Sequence, residues 1–258
     1  MNNELEMNVK RMKQKGDAQK AYCCMTEAPS PWPVALCQCR DWVTENLGTY
    51  VEGYHLETRR GEVVGHIYFA PSQNALVPYQ IEPEVCVLYC EWVQKRYQGK
   101  GWGRYLFDSF LAEMRAEGMK GILVEATNRE GFMHFSHYTV RGFEQILDHN
   151  QFKLLYLPII NGEVAVKLLE KKLEPKKKTP VEILILNGYM CPYEAATLIA
   201  VRSIVPEFGE QVKLQDVWLT PETLHYFGSA KGIFINGERK LVGGESEEQI
   251  RQAIREEL

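Results

Sequence analysis

Apolar residues change period along this chain, and each change predicts an element. Residues 34–47 (VALCQCRDWVTENL) repeat with helical spacing and stop at Gly48, a usual position for a left-handed C-terminal cap. Two β-rich runs flank Arg60-Gly61 between 55 and 70 and predict a hairpin, and EVCVLYCEWV at 84–93 predicts a buried strand. The period then turns helical. In RYLFDSFLAEMRAEG, Leu106, Phe110, Leu111 and Met114 share one face and Gly118 ends it. GILVEA at 121–126 and FKLLYLPI at 152–159 are further strands.

The pattern breaks at KKLEPKKKTP, residues 171–180, whose five Lys and two Pro offer little to bury and interrupt regular structure. This predicts a first domain over 1–170, a solvated linker over 171–180 and a second domain over 181–258. Beyond the linker come strand 181–186, a helix from Pro192 to about Val205 and strand 212–219. Thr220-Pro221 opens a helix, and Asn236-Gly237 turns a hairpin. Ser246 and Gln249 form a capping box ahead of a helix with Ile250, Ile254 and Leu258 on one face. The fold class is α/β (α+β).

Composition narrows the function classes. With 45% hydrophobic and 25% charged residues the chain is neither disordered nor collagen-like. Its longest apolar runs fall short of the ~20 residues that cross a bilayer, so no membrane partner is expected. The first twenty residues hold no hydrophobic core of the signal-peptide kind. A net charge of −4 gives no reason to expect nucleic acid. Seven cysteines, without a regular framework, predict a reduced, cytoplasmic protein. Cys23, Cys24, Cys37 and Cys39 stand as CC and CxC, not the CxxC of a zinc knuckle, so no metal is expected.

The strand at 84–93 runs into Gln98-Gly99-Lys100-Gly101-Trp102-Gly103 and then a helix. Glycines at alternate positions allow positive φ and close backbone approach, and the helix behind them aims free N–H groups into the same space. That arrangement suits a diphosphate. The spacing is neither GxGxxG nor a Walker loop. The stretch resembles motif A of the GNAT acyltransferases, Q/R-x-x-G-x-G/A, with Gln98, Gly101 and Gly103 in the fixed places. The resemblance implies acetyl-CoA as acyl donor, with Gly99 to Arg104 (Gly99, Lys100, Gly101, Trp102, Gly103, Arg104) and Gln98 at the diphosphate. It also implies pantetheine along the backbone of Trp92 and Val93, as if it were an added strand.

HYTVRGFEQI resembles the family's Y-x-x-x-G-F ending, with Tyr138, Gly142 and Phe143 in place. That resemblance makes Tyr138 the acid that protonates the leaving CoA thiolate; the other reading is a packed core tyrosine. Many members carry Asn seven residues before this tyrosine and Ala three later, where this chain has Gly131 and His134. His134 and His137 are each either a base or an edge residue. Glu91 and Glu84 are candidates for the base that takes the amine's proton. Glu91 is preferred, and its apolar neighbours predict a raised pKa.

Cys191 follows a strand-turn at the start of a helix, where amides and dipole favour thiolate. Cys191-Pro192-Tyr193 and the closing IFINGERKLVGGES resemble a glutaredoxin, which implies a thioredoxin-like second domain. Glu194 replaces the second redox cysteine, and Lys231 stands near the family's cis-proline. The pairing of domains resembles the YoaP-like acetyltransferases of bacteria. The expected function is direct acetyl transfer from acetyl-CoA to an amine in a ternary complex. The alternative is a thiol-redox or thiol-binding protein working through Cys191, with the first domain a CoA-binding module. A homodimer or a docking partner through the second domain is the remaining expectation.

Overall fold

The computed structural model describes residues 6–26, 32–129, 132–149, 152–230 and 232–258. In chain order the elements begin β1 (Met7–Arg11), α1 (Lys15–Ala18), α2 (Pro33–Asn46), β2 (Glu52–Thr58), β3 (Val63–Pro71) and β4 (Tyr79–Ile81). They continue β5 (Val85–Val93), α3 (Trp102–Ala116), β6 (Gly121–Thr127), α4 (Phe135–Thr139), β7 (Glu144–His149), β8 (Phe152–Pro158) and β9 (Val166–Leu168). The last are β10 (Val181–Asn187), α5 (Pro192–Ile204), β11 (Val212–Trp218), α6 (Pro221–Phe227), β12 (Gly232–Ile235), β13 (Glu238–Leu241) and α7 (Glu247–Arg255). Two compact units result: Met1–Ala28, Val43–Ala75 and Ile81–Val166 in one, Pro29–Trp42, Leu76–Gln80 and Lys167–Leu258 in the other.

The first unit is built on a seven-stranded sheet of order β1-β2-β3-β5-β6-β8-β7. β5 and β6 run parallel, while β1–β2, β2–β3, β3–β5, β6–β8 and β7–β8 are antiparallel. α3 lays Leu106, Phe107, Phe110 and Met114 into the sheet's main core with Leu56, Ile67, Phe69, Leu88 and Val124. Four largely buried side chains of this size supply about 1.5–3 kcal/mol each, which fixes the helix and so the loop that precedes it. Leu111, expected on this face, is only partly buried.

The second unit carries a four-stranded sheet of order β11-β10-β12-β13. β10 is parallel to β11 and antiparallel to β12, and β12 and β13 form the hairpin turned at Asn236-Gly237. Thr220 and Ser246 cap α6 and α7 through capping boxes. Ile250 and Ile254 are fully buried, but α7 ends at Arg255 and leaves Leu258 about half exposed, so Leu258 does not complete that face. The Lys-rich segment lies against this unit: Lys172 N–H donates to the Phe227 carbonyl and Lys176 N–H to that of Asn236, at 2.9 Å. Leu173 packs on Leu184, Leu186, Phe227 and Phe234. Lys231 and Gly131 fall outside the described residues.

Candidate active site

The parallel pairing of β5 with β6 covers only Val85–Leu88 against Gly121–Val124. There β5 bulges. Phe69 of β3 faces Leu88 and Tyr68 faces Cys90, which leaves Tyr89 as an extra residue on β5. A bulge bends its strand, so β5 parts from β6, while β6 stays paired with β8 as far as Thr127. A wedge opens between Tyr89–Val93 and the end of β6. A strand whose neighbour has left offers backbone groups to an extended ligand.

At the mouth of the wedge the chain turns into α3. Gly99 and Gly101 hold φ of 71° and 82°, conformations that L residues rarely adopt, and nothing lies within 4 Å of a Cβ built on either. Gly101 is the N-cap of α3, which has no side-chain cap and no acidic residue in its first turn. Tyr105 N–H donates to the carbonyl of Gly101, and the amides of Trp102, Gly103 and Arg104 before it donate to no backbone carbonyl among the described residues. A positive helix end without an acid beside it is an anion site in waiting. Lys100 and Arg104 are exposed on the same turn. Gln98 donates from Nε2 to the Val93 carbonyl at 2.7 Å, tying the turn to the strand end.

Tyr138 is buried, with its ring edge-on to Phe143 at 5.4 Å. Burial, with Glu91 and Cys90 nearby and Arg141 opposing, pushes its hydroxyl well above the ordinary tyrosine range, so the phenol stays protonated at neutral pH. Glu91 is also buried, but the expected raised pKa is not found. Burial alone would raise it; the His137 contact and the Arg141 charge and hydrogen bond outweigh burial and hold the carboxyl below its ordinary value. Arg141 Nη1 reaches Glu91 Oε2 at 2.7 Å, and His137 Nε2 lies 3.7 Å from Oε1. The guanidinium sits over the Phe107 ring, 4.5 Å from its centroid.

Glu91 lies near Tyr138, and Arg141 reaches from Glu91 to the first turn of α3 behind the glycine turn; His137 and Arg141 on Glu91 are a pair that the sequence did not single out. Glu84 stands at the other end of β5, exposed and paired with Lys120 at 3.1 Å. His134 caps α4, accepting the Ser136 N–H. Trp92 is half-buried and Val93 buried at the strand end. A second cluster escaped sequence reading altogether. His66 bridges two thiols, Nδ1 at 3.2 Å from Cys23 Sγ and Nε2 at 3.4 Å from Cys90 Sγ. Burial lowers the imidazole to about 3, so it is neutral. Its two nitrogens point opposite ways and cannot converge on one metal ion. Among the described residues no group of three His, Cys, Asp or Glu could hold one.

Cys191, in the second unit, is the N-cap of α5, half-buried, with Pro192 at the first helical position. Among the described residues no helix is long and apolar enough to cross a membrane.

The model of the Acetyltransferase (GNAT) family matches residues 19–134. A Bacillus subtilis (strain 168) protein, "Uncharacterized N-acetyltransferase YoaP", is 20% identical over 199 residues, 76% of this chain and 78% of the relative. The ribosomal-protein-S18-alanine N-acetyltransferase of Escherichia coli aligns at 16% identity over 61% of this chain and 97% of its own, TM-score 0.45. A GNAT family acetyltransferase of Brucella melitensis, solved with acetyl-CoA, aligns at 24% identity over 62% and 95%, TM-score 0.39. Residues 19–134, which carry β5, the glycine turn, α3 and β6, match the GNAT acetyltransferase family, and the activity this supports is N-acetyl transfer with acetyl-CoA as the acyl donor.

Proposed function

We propose that the acetyl group passes directly from acetyl-CoA to an amine held in the wedge. The amine nitrogen attacks the thioester carbonyl, the carbon–sulfur bond breaks, and Tyr138 gives its proton to the departing CoA sulfur. Glu91, backed by His137, takes the proton shed by the attacking amine, directly or through water. The diphosphate rests on the turn from Gln98 to Arg104, and pantetheine lies along Trp92 and Val93. The single observation that carries this reading is the bulge at Tyr89, which opens β5 beside an uncapped helix N-terminus. Free CoA released from acetyl-CoA in the presence of a panel of amines tests it. Release that no amine accelerates overturns it.

For the second unit the reading is a thioredoxin-like domain over 181–258, joined through 171–180 to a first domain over 1–170. The strand order β11-β10-β12-β13 supports it, as does Gly243-Gly244 passing close to Tyr193 and Glu194. There a Cβ on Gly244 would meet the Tyr193 ring at 2.0 Å. A thiol function through Cys191 is the second reading. Docking of a partner or a second copy is its rival, supported by the exposed Trp218 at the end of edge strand β11. Seven free cysteines favour a reducing, cytoplasmic setting.

A further inference from the structure

Arg141 stands between two parts of the site that are separate in sequence. Its side chain makes one hydrogen bond among the described residues, from Nη1 to Glu91. Nη2 points elsewhere, 3.8 Å from where a Cβ on Gly103 would sit, in the first turn of α3. Two positive groups, the helix end and the guanidinium, are therefore neighbours. Their repulsion is relieved by an anion between them, and Glu91 answers only one side. The groups around Glu91 are His137, Tyr138 and Arg141 from α4 and the turn after it, Cys90 beside it, and Ile67 opposite on β3. Phe107 of α3 supports the guanidinium from behind.

We propose that Arg141 is a positioning residue that couples the diphosphate turn to Glu91: when the diphosphate of acetyl-CoA fills the turn, Nη2 donates to it and the guanidinium loosens its hold on the Glu91 carboxylate. The inference rests on the diphosphate reading given above. In the free protein Glu91 is pinned as a weak base. In the complex one cation is shared between two anions, so burial dominates Glu91 and its affinity for a proton rises. The base is armed only when the donor is present.

Binding must then draw in protons at mildly acidic pH. Dephospho-CoA is the probe, because it lacks the 3′-phosphate that itself titrates near pH 6. Titration calorimetry in buffers of different ionisation heat, between about pH 5 and 6.5, reads the net protons taken up per ligand. The wild type takes up a fraction of a proton. Glu91→Gln abolishes the uptake. Arg141→Lys keeps a cation on Glu91 but loses the second donor, so uptake falls by at least half and affinity weakens about tenfold. Arg141→Gln with Glu91→Gln removes the buried pair together, and that double variant shows no uptake. Uptake that survives in Glu91→Gln or is unchanged in Arg141→Lys overturns the coupling, as does none in the wild type. Failure of the underlying reading has another signature. If Gly103→Val leaves affinity intact, the turn does not hold the diphosphate. If Gly103→Val weakens binding while Arg141→Lys changes nothing, the turn stands and the coupling alone falls.

Discussion

On the proposed reading, replacing Gly103 by Val adds bulk beside the diphosphate and asks little of the fold. A Cβ there meets Arg141 Nη2 and Val93 Cγ2 at 3.8 Å, ordinary van der Waals contact, and Gly103 has no positive φ to lose. It lies in the first turn of a 15-residue helix, where Val is a slightly better helix former than Gly, by a few tenths of a kcal/mol. Thermal stability should hold within about 0.5 kcal/mol. Binding should not. Hydrogen bonds from amides to a charged oxygen contribute about 1.5–3 kcal/mol each, so losing one costs at least tenfold in affinity and losing two about a hundredfold or more. Calorimetry with CoA measures this directly. A short acetyl thioester without diphosphate serves as control, since its turnover should not change. Gly103→Ala, with a single added carbon, should lie between. Wild-type CoA affinity in folded Gly103→Val would refute the assignment of the turn.

Other outcomes follow from the same geometry. Tyr138→Phe keeps the buried ring and removes the proton, so kcat should fall by about 10²–10⁴ with CoA affinity unchanged, as read by steady-state kinetics and calorimetry. Glu91, held below its ordinary value of 4.5, contributes stability that is present above that pH and is lost as pH falls through its folded value. Melting curves of wild type against Glu91→Gln should therefore converge as pH drops below about 4.5; a gap that widens on acidification sinks the pairing. Cys191 at the start of α5 should be alkylated at neutral pH in the native protein, faster than the buried Cys23, Cys39 and Cys86, with no disulfide at its motif. Cys191→Ser should leave acetyl transfer to a small amine unchanged, and a loss would make the two units one catalytic body.

Elements with a clean period were legible in the sequence: the face of α3, the buried run of β5 and the capped start of α7 follow from local residues. β1 and β7 were not. MNVKR and EQILDH are short and polar, and they become strands only because β2 and β8 offer edges to pair with. The positive φ of Gly99 and Gly101 was legible because that constraint is local, and the motif around Tyr138 named a residue that the structure buries, with its role left to the proposal. Glu91 could be named but its electrostatics could not. Apolar neighbours along a strand predict desolvation, whereas Arg141 and His137 arrive from 50 and 46 residues away and reverse its sign. The His66 bridge is hidden for the same reason, since it joins Cys23 and Cys90 across a sheet.

The central claim is that this site moves an acetyl group from CoA to an amine with Tyr138 as the acid. The most direct measurement follows CoA thiol release from acetyl-CoA across an amine panel, with mass spectrometry of the product, for wild type and Tyr138→Phe side by side. The account predicts amine-dependent release matched by acetylated amine, and a rate lower by about a hundredfold or more in the Phe variant. Equal rates for the two proteins on an acetylated acceptor would contradict it.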